Sequence, residues 1–485
     1  MDISATAFPI FALAFFSLAG VIIALYIARR VGRFLNFRTL LILNCVAVNN
    51  VSGIAHLMNQ PKVSRGYYDL LSNPTTAGLE NATIAAILGL VAVCLACMQK
   101  LPTKPSQDVS LTEPWLVREE KWWLAILTLG LLPIALVATM QIQGIAASLN
   151  TNRIISLTDG NARFSYFSNW LVWVISFIAI GVAASRLGRS RTCILLVTGG
   201  SVIAIAGTMA WTGGRSVVIV MVLPIILVLL PRLRGIRVLA VPAALVAAMV
   251  YMVTISEKRS SFDAGFNLGT WLDWEWGRFS MMGFATEYAA EEGHAYGETL
   301  LASAANMTLG TLRLAGIYIP NPQLRSSTQM SGESLLGSTA NYVVPGFSAE
   351  MFINFGLIGV VVGYYFLGRV ANWADRKYLE APTVLIKLTF AYVGTLLVFR
   401  TVAADSGSIL SYVLYSGLPL LVMGALSKWG RHRASAREEQ QRLTAERQAA
   451  AEEDAAARRT ERESARSAAL AGEFSPIALP SKTRR

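Results

Sequence analysis

Charged side chains are scarce in this chain. Asp, Glu, Lys and Arg make up 15% of its 485 residues, against 54% hydrophobic residues and a mean hydropathy of +0.49. That shortage excludes a soluble globular fold of this length, because too little polar surface is available to cover one. The four cysteines, Cys45, Cys94, Cys97 and Cys193, fall within or at the ends of apolar runs, which excludes a disulfide framework. Cys94 and Cys97 form a C-x-x-C, read here as two small apolar side chains in a membrane helix and not as a metal site. The sequence has no carboxylate pair with the spacing of a nucleotide-sugar metal site, no Walker loop and no dinucleotide fingerprint, so a soluble nucleotide donor is not indicated. Met1 to Pro9 lack the basic start of a secretory signal, and no small-residue cleavage site closes the first apolar run. That run is expected to remain as a permanent helix.

What is present is apolar sequence in lengths that match a bilayer. A helix needs about 20 mostly apolar residues to cross the hydrocarbon core. Eleven runs meet or approach that: Phe8 to Ala28, Thr39 to Met58, Ala82 to Met98, Trp122 to Gln141, Trp170 to Ala184, Thr192 to Trp211, Val217 to Leu230, Val238 to Ile255, Ala349 to Gly368, Val384 to Thr401 and Ser408 to Leu426. The second carries Asn44, Asn49, Asn50 and His56, which are tolerable in lipid only if they face other helices or water. The fold class expected is an all-α polytopic membrane protein.

Lys and Arg favour the cytoplasmic loops, and their distribution alternates along the chain. Arg29, Arg30, Arg33 and Arg38 follow the first run, Lys100, Lys104, Arg118 and Lys121 the third, Arg186, Arg189 and Arg191 the fifth. Arg232, Arg234 and Arg237 follow the seventh, and Arg369, Arg376 and Lys377 the ninth. The tail opens with Lys428, Arg431 and Arg433. This puts the N-terminus outside and the C-terminus in the cytoplasm. It divides the chain into membrane helices over 1–256, a large external loop over 257–348, further membrane helices over 349–427 and a charged tail over 428–485. The tail mixes Ala with Arg, Glu and Gln, cannot build a core, and reads as a solvated helix or a disordered segment.

The external loop carries Trp271, Trp274, Trp276, Tyr288, Tyr296, Tyr318 and Tyr342 among Glu, Asp and Arg. Such a mixture suits stacking on sugar faces and equally suits lying at the headgroup interface. Arginines on this side are informative because insertion disfavours them. Arg215 sits in a Gly213-Gly214-Arg215 turn where backbone can approach a ligand closely. Arg400 lies at the outer end of the tenth run, and Arg259, Arg278 and Arg325 lie in the loop. Guanidinium groups bind phosphate bidentately and stay charged, so several converging would hold a diphosphate. Each equally could reach headgroups or pair with a local carboxylate. Among acids, Glu350 opens the ninth run, as a candidate base or as a helix-dipole cap. His294, the only histidine of the loop, lies among Glu287, Glu291, Glu292 and Glu298 as an alternative base or an inert side chain.

Three stretches resemble the oligosaccharide repeat unit polymerases, the O-antigen polymerases of the Wzy type. Thr208-Met-Ala-Trp-Thr-Gly-Gly-Arg-Ser-Val217 looks like the family's external threonine-glycine-arginine turn, although that turn often reads glycine-serine-arginine. Tyr296-Gly-Glu-Thr-Leu300 with Ile319-Pro320 is similar to segments of its large loop, and Ser348 to Gly359 resembles its acidic, asparagine-phenylalanine-glycine helix start. The resemblance implies a GT-C-like bundle in a bacterial cytoplasmic membrane. The substrate it implies is sugar repeat units on a polyprenyl diphosphate, polymerised without metal or cofactor into O-antigen, capsule or exopolysaccharide. It matches Arg215 to the turn arginine, Glu350 to the acidic helix start and Arg400 to a late basic residue, with Arg278 and Arg325 matching loosely and Tyr296 in the loop motif. The partners it implies are lipid-linked oligosaccharide, membrane lipid, a flippase and a chain-length regulator, with no nucleic acid. Two other readings fit the layout: an O-antigen ligase, kept open by His294, and a transporter or flippase of the same lipid, against which the sequence shows no internal repeat.

Overall fold

The computed structural model describes residues 3–33, 35–59, 74–99, 116, 118–141, 167, 169–185, 190–210, 215–229, 278–314, 317, 319, 323–336 and 344–473. Among them the regular structure is entirely helical. The order is α1 (Ile3–Val31), α2 (Phe37–Cys45), α3 (Ser52–Asn59), α4 (Thr76–Met98), α5 (Arg118–Gln141), α6 (Trp170–Ala184), α7 (Arg191–Ala210) and α8 (Arg215–Leu229). Then follow α9 (Phe279–Glu292), α10 (Glu298–Leu314), α11 (Ser327–Leu336), α12 (Phe347–Glu380), α13 (Val384–Thr395), α14 (Ser406–Ser411) and α15 (Leu418–Glu473). Wide π-type turns occupy Val46–Val51, Leu396–Arg400 and Tyr412–Ser416.

Six helices are long and apolar enough to cross a membrane, and a seventh span results if Ser406–Ser416 and the helix from Leu418, bent by 56°, count as one. Shorter apolar helices cover Trp170–Ala184, Thr192–Ile205 and Val220–Leu229. The protein is therefore an all-α, multi-pass membrane protein. The expected run Val238 to Ile255 lies outside the described residues, as do Trp271, Trp274, Trp276, Tyr318, Tyr342 and Arg259. The described part of the large loop folds as α9, α10 and α11. Phe279, Met281, Met282, Phe284, Ala285 and Tyr288 are buried there, giving α9 a core-facing side that packs on α4 and α12.

The chain divides into two compact units, Met1–Ser427 and Lys428–Arg485. In the second, exposed charges are paired at i,i+4 spacing, Arg442 with Glu446 at 2.8 Å and Arg458 with Asp454 at 3.0 Å. Such pairs support a helix that has no apolar stripe to bury.

Inside the first unit, α4 and α12 form the most extensive contact, and small residues allow it. A methyl on Gly89 would lie 2.9 Å from Tyr364, and one on Gly368 would lie 2.6 Å from Ala96. Helices in lipid gain no hydrophobic attraction for each other, so close packing through small residues does that work. The polar groups of the second run face inward: Asn44, Asn49, Asn50 and His56 are all buried. Asn44 Nδ2 donates to Val398 O at 2.7 Å, and Asn49 Nδ2 donates to Tyr364 Oη at 2.8 Å. The C-terminal part of α12 supplies a buried acid to the start of α2. Asp375 Oδ1 accepts from Phe37 N at 2.7 Å, Oδ2 accepts from Arg38 N at 3.2 Å, and the Arg38 guanidinium lies 3.3 Å from Oδ2. Arg38 also donates to the carbonyls of Cys97 and Gln99 that end α4.

Asp375→Ala strands a buried guanidinium and two helix-start N–H groups, so it is expected to destabilise the protein by about 3–5 kcal/mol. The thermal midpoint of the detergent-purified variant should fall well below that of the wild type. Combining it with Arg38→Met should recover most of the loss, and an unchanged midpoint in the single variant would contradict the clamp.

Candidate functional site

The helix α12 is broken near its start. Gly356 has φ 64° and ψ −156°, a region essentially reserved for glycine, which separates Phe347–Phe355 from the rest of the span. A break inside an apolar span frees carbonyls that lipid cannot satisfy. Here the segment 293–297 satisfies them. Ala295 N donates to Ile353 O at 2.9 Å, Tyr296 N to Asn354 O at 3.1 Å, and Gly297 N to Asn354 Oδ1 at 2.8 Å. The segment is itself sharply turned, with positive φ at Gly293, Tyr296 and Gly297. A positive φ at an aromatic residue is uncommon, and the Tyr296 ring it projects is 80% exposed. His294 lies over the break. A methyl on Gly356 would come within 3.3 Å of its Cε1 and Nε2, and its ring stands edge-on to Phe352 at 5.9 Å.

Within the short first half of α12, Glu350 has no exposed surface. Its Oε1 accepts from Thr299 Oγ1 at 3.2 Å, Ser327 Oγ at 3.0 Å and Ser406 Oγ at 2.7 Å, and its Oε2 accepts from Ser406 N at 2.7 Å. Thr299 is the second residue of α10, Ser327 the first of α11 and Ser406 the first of α14. Three helix starts, each with the partial positive charge of unpaired N–H groups, converge on this one carboxylate. The dipole expected to favour Glu350 was that of its own helix; the direct donors come from the starts of three others. Asn354 ties the cluster to the break, donating to Thr299 Oγ1 at 2.6 Å and to Glu350 O at 2.7 Å.

The segment 396–416 brings the remaining groups together. Arg400 lies over the Tyr412 ring at 4.9 Å, and Ala403 O accepts from Arg278 Nε at 2.9 Å. Arg278 also donates its backbone N–H to Val48 O, and it fills the space beside Gly346, where a methyl would lie 2.7 Å from its Cγ. Asp405, buried, takes the Ser408 hydroxyl on Oδ1. The carbonyls of the second break, at Tyr412–Ser416, are held by Trp170 Nε1 on Tyr415 O, Trp173 Nε1 on Ser416 O and Tyr392 Oη on Tyr412 O. These large side chains lock the segment against α6 and α13.

Of the residues singled out in the sequence, Glu350, Arg278 and Arg400 therefore meet around 400–406. His294 and Tyr296 flank the same broken helix. Arg325 does not join them: it is exposed, 3.3 Å from Glu333 and 4.0 Å from Glu298, the local pairing that competes with phosphate binding. Arg215 is the first residue of α8, which packs along α13 and on the turn carrying Arg400. Its side chain lies outside the described residues. Thr299, Ser303, Ser327, Asn354, Asp405 and Ser406 were not singled out. Short hydroxyl and amide side chains carry no periodic signal, and only the TVAADSGS stretch, polar at a membrane-helix end, hints at them. Among the described residues no three His, Cys, Asp or Glu side chains gather closely enough to ligate one metal ion.

No protein-family model matches this chain, and no curated protein and no solved structure is significantly similar to it.

Gly356→Ala is expected to destabilise the protein by about 1–3 kcal/mol, through a disallowed backbone and the crowded His294 ring. Adding His294→Ala should recover only the crowding part. Thermal unfolding of the two single variants and the double variant measures this, and full recovery would show that the backbone at 356 carries no strain.

Proposed function

We propose that this chain is an oligosaccharide repeat unit polymerase of the bacterial cytoplasmic membrane, joining polyprenyl-diphosphate-linked repeat units at the outer face. The observation that carries the reading is the short segment 400–406 at a membrane-helix end, which carries Arg400 and Asp405, accepts from Arg278 on Ala403 O and donates from Ser406 to Glu350. A transferase of this kind needs cationic groups for a departing diphosphate and an anionic group for the acceptor's proton. Arg215, at the start of a helix packed on the Arg400 turn, completes the cationic set in this reading.

An outer-face site is supported by the course of α12, which carries Glu350 near its start and Arg376 and Lys377 near its end, since basic residues favour the inner side. Its 34 residues would reach about 50 Å if straight, ample for the crossing. The N-terminus is then outside and the C-terminal tail cytoplasmic. In this reading the shorter apolar helices and the run Val238 to Ile255 complete eleven spans in a GT-C-like bundle. The exposed Tyr296 ring would stack on a sugar face. A flippase would deliver the substrate, and a chain-length regulator would act on the product.

Transport of the same lipid is the second reading, favoured by the two broken helices, a device that transporters use at their binding sites. A ligase would use the same lipid donor and hand the glycan to a different acceptor.

Purified protein in liposomes, given lipid-linked repeat units, is expected to produce a ladder of polymer on a gel. Arg215→Ala should lower the yield of long polymer by about 10²-fold or more while leaving the protein in the membrane. Normal chain lengths in that variant would refute its role. Movement of intact units across the bilayer without a ladder would favour transport.

A further inference from the structure

The proposed reaction needs one group to take the acceptor's proton, and the three candidates differ in what their acceptor atoms already do. Glu350 is committed. Its Oε1 holds three hydroxyls, its Oε2 holds the Ser406 N–H, and the side chain has no exposed surface. Taking a proton there would weaken bonds to three helix starts at once. His294 packs its Cε1 and Nε2 edge on Gly356, and its Nδ1 bonds nothing among the described residues but is closed off from solvent, where no sugar hydroxyl can reach it.

Asp405 is different. It is buried, with 4% of its surface exposed, and its Oδ1 takes the Ser408 hydroxyl. Among the described residues nothing bonds its Oδ2. Beside that oxygen lies Gly407, whose missing side chain leaves it open: a methyl there would stand 3.1 Å from Oδ2 and 3.2 Å from Ser303 Oγ. Asp405 also directly precedes Ser406, which is tied to Glu350 through both its N–H and its hydroxyl, so the carboxylate is held on a fixed backbone. Two residues earlier, Ala403 O holds the Arg278 guanidinium, and Arg400 lies five residues earlier over Tyr412. A free carboxylate oxygen thus shares a short segment with two guanidinium groups.

The geometry points to Asp405 as the proton acceptor and to Glu350 as a positioning residue that holds Asp405 in place through Ser406. This rests on the polymerase reading. The acceptor sugar hydroxyl gives its proton to Asp405 Oδ2 as its oxygen forms a bond to the donor's anomeric carbon. The bond from that carbon to the diphosphate oxygen breaks, and the diphosphate leaves with the electron pair beside the guanidinium groups. Asp405 later returns the proton to water.

Two measurements test this on the full-length protein in membranes. The first needs no assumption about activity: a hydrophobic carbodiimide at mildly acidic pH, followed by peptide mass mapping, should modify Asp405 in preference to Glu350. Equal or stronger modification of Glu350 would overturn the assignment. The second uses the liposome ladder. Asp405→Asn, which keeps shape and removes the basic oxygen, should lower the polymerisation rate by about 10²-fold or more, with its thermal midpoint near that of the wild type. Asp405→Glu should restore part of the rate. Glu350→Gln should instead lower the thermal midpoint and alter the pH profile little in the material that remains folded. Polymer formation by Asp405→Asn at the wild-type rate would overturn the proposal. Absence of a ladder from the wild type would sink the polymerase reading itself, and the modification pattern would still report which carboxylate is open.

Discussion

A carboxylate with no exposed surface is tolerable only where donors replace its lost water, and Glu350 finds four, at the starts of three helices that are far apart in sequence. The rest of the site depends on this arrangement. Each of α10, α11 and α14 has N–H groups at its start that its own turns cannot satisfy, and a single negative group among them offsets all three. The chain from the large loop and the chain from the late membrane helices are thereby bound to the same atom pair. What lies between them, the Tyr296 turn on one side and the 400–406 segment on the other, inherits a fixed position.

That convergence requires broken helices, since an uninterrupted α12 would leave no carbonyls for the 293–297 segment to hold. Gly356 supplies a backbone conformation that other residues resist, and Asn354 reads both sides of the break with its amide. The second interruption, at Tyr412–Ser416, is stabilised differently: indole and phenol donors from α6 and α13 bind its carbonyls. In both places the cost of open backbone in an apolar setting is offset by donors from neighbouring protein. A rigid frame of this kind would suit the proposed transferase, whose reacting groups must be aligned before its substrate arrives.

The helix α12 carries acids of opposite character toward its two ends. Asp375 is fully matched, by Arg38 and by the start of α2, and acts as a clamp. Near the other end, Glu350 is matched by neutral donors, and Asp405 beside it keeps an oxygen uncommitted. Matched charges hold a structure together, whereas an unmatched one at a shielded position is available for chemistry. Among the arginines, Arg325 is engaged with carboxylates at the surface, while Arg278 donates to the Ala403 carbonyl and Arg400 lies over the Tyr412 ring.

The sequence by itself determined the medium, most of the helices and which residues must face inward, because apolar length and the cost of burying an amide are local properties. Asn44, Asn49, Asn50 and His56 could be assigned to the bundle interior on that basis alone. Arg278 and Arg400 could be suspected because insertion disfavours arginine on the side expected to be external, and Glu350 because it opens a membrane helix. Asp405 was only hinted at by the polar stretch it sits in, since an acid just before a helix start looks like any capping residue, and its free oxygen depends on what surrounds it. Nor could the pairing of Arg325 be separated from phosphate binding by composition. Only tertiary structure decided which charges are already matched, because matching depends on donors brought together from positions 299, 327 and 406, and no local pattern encodes that meeting.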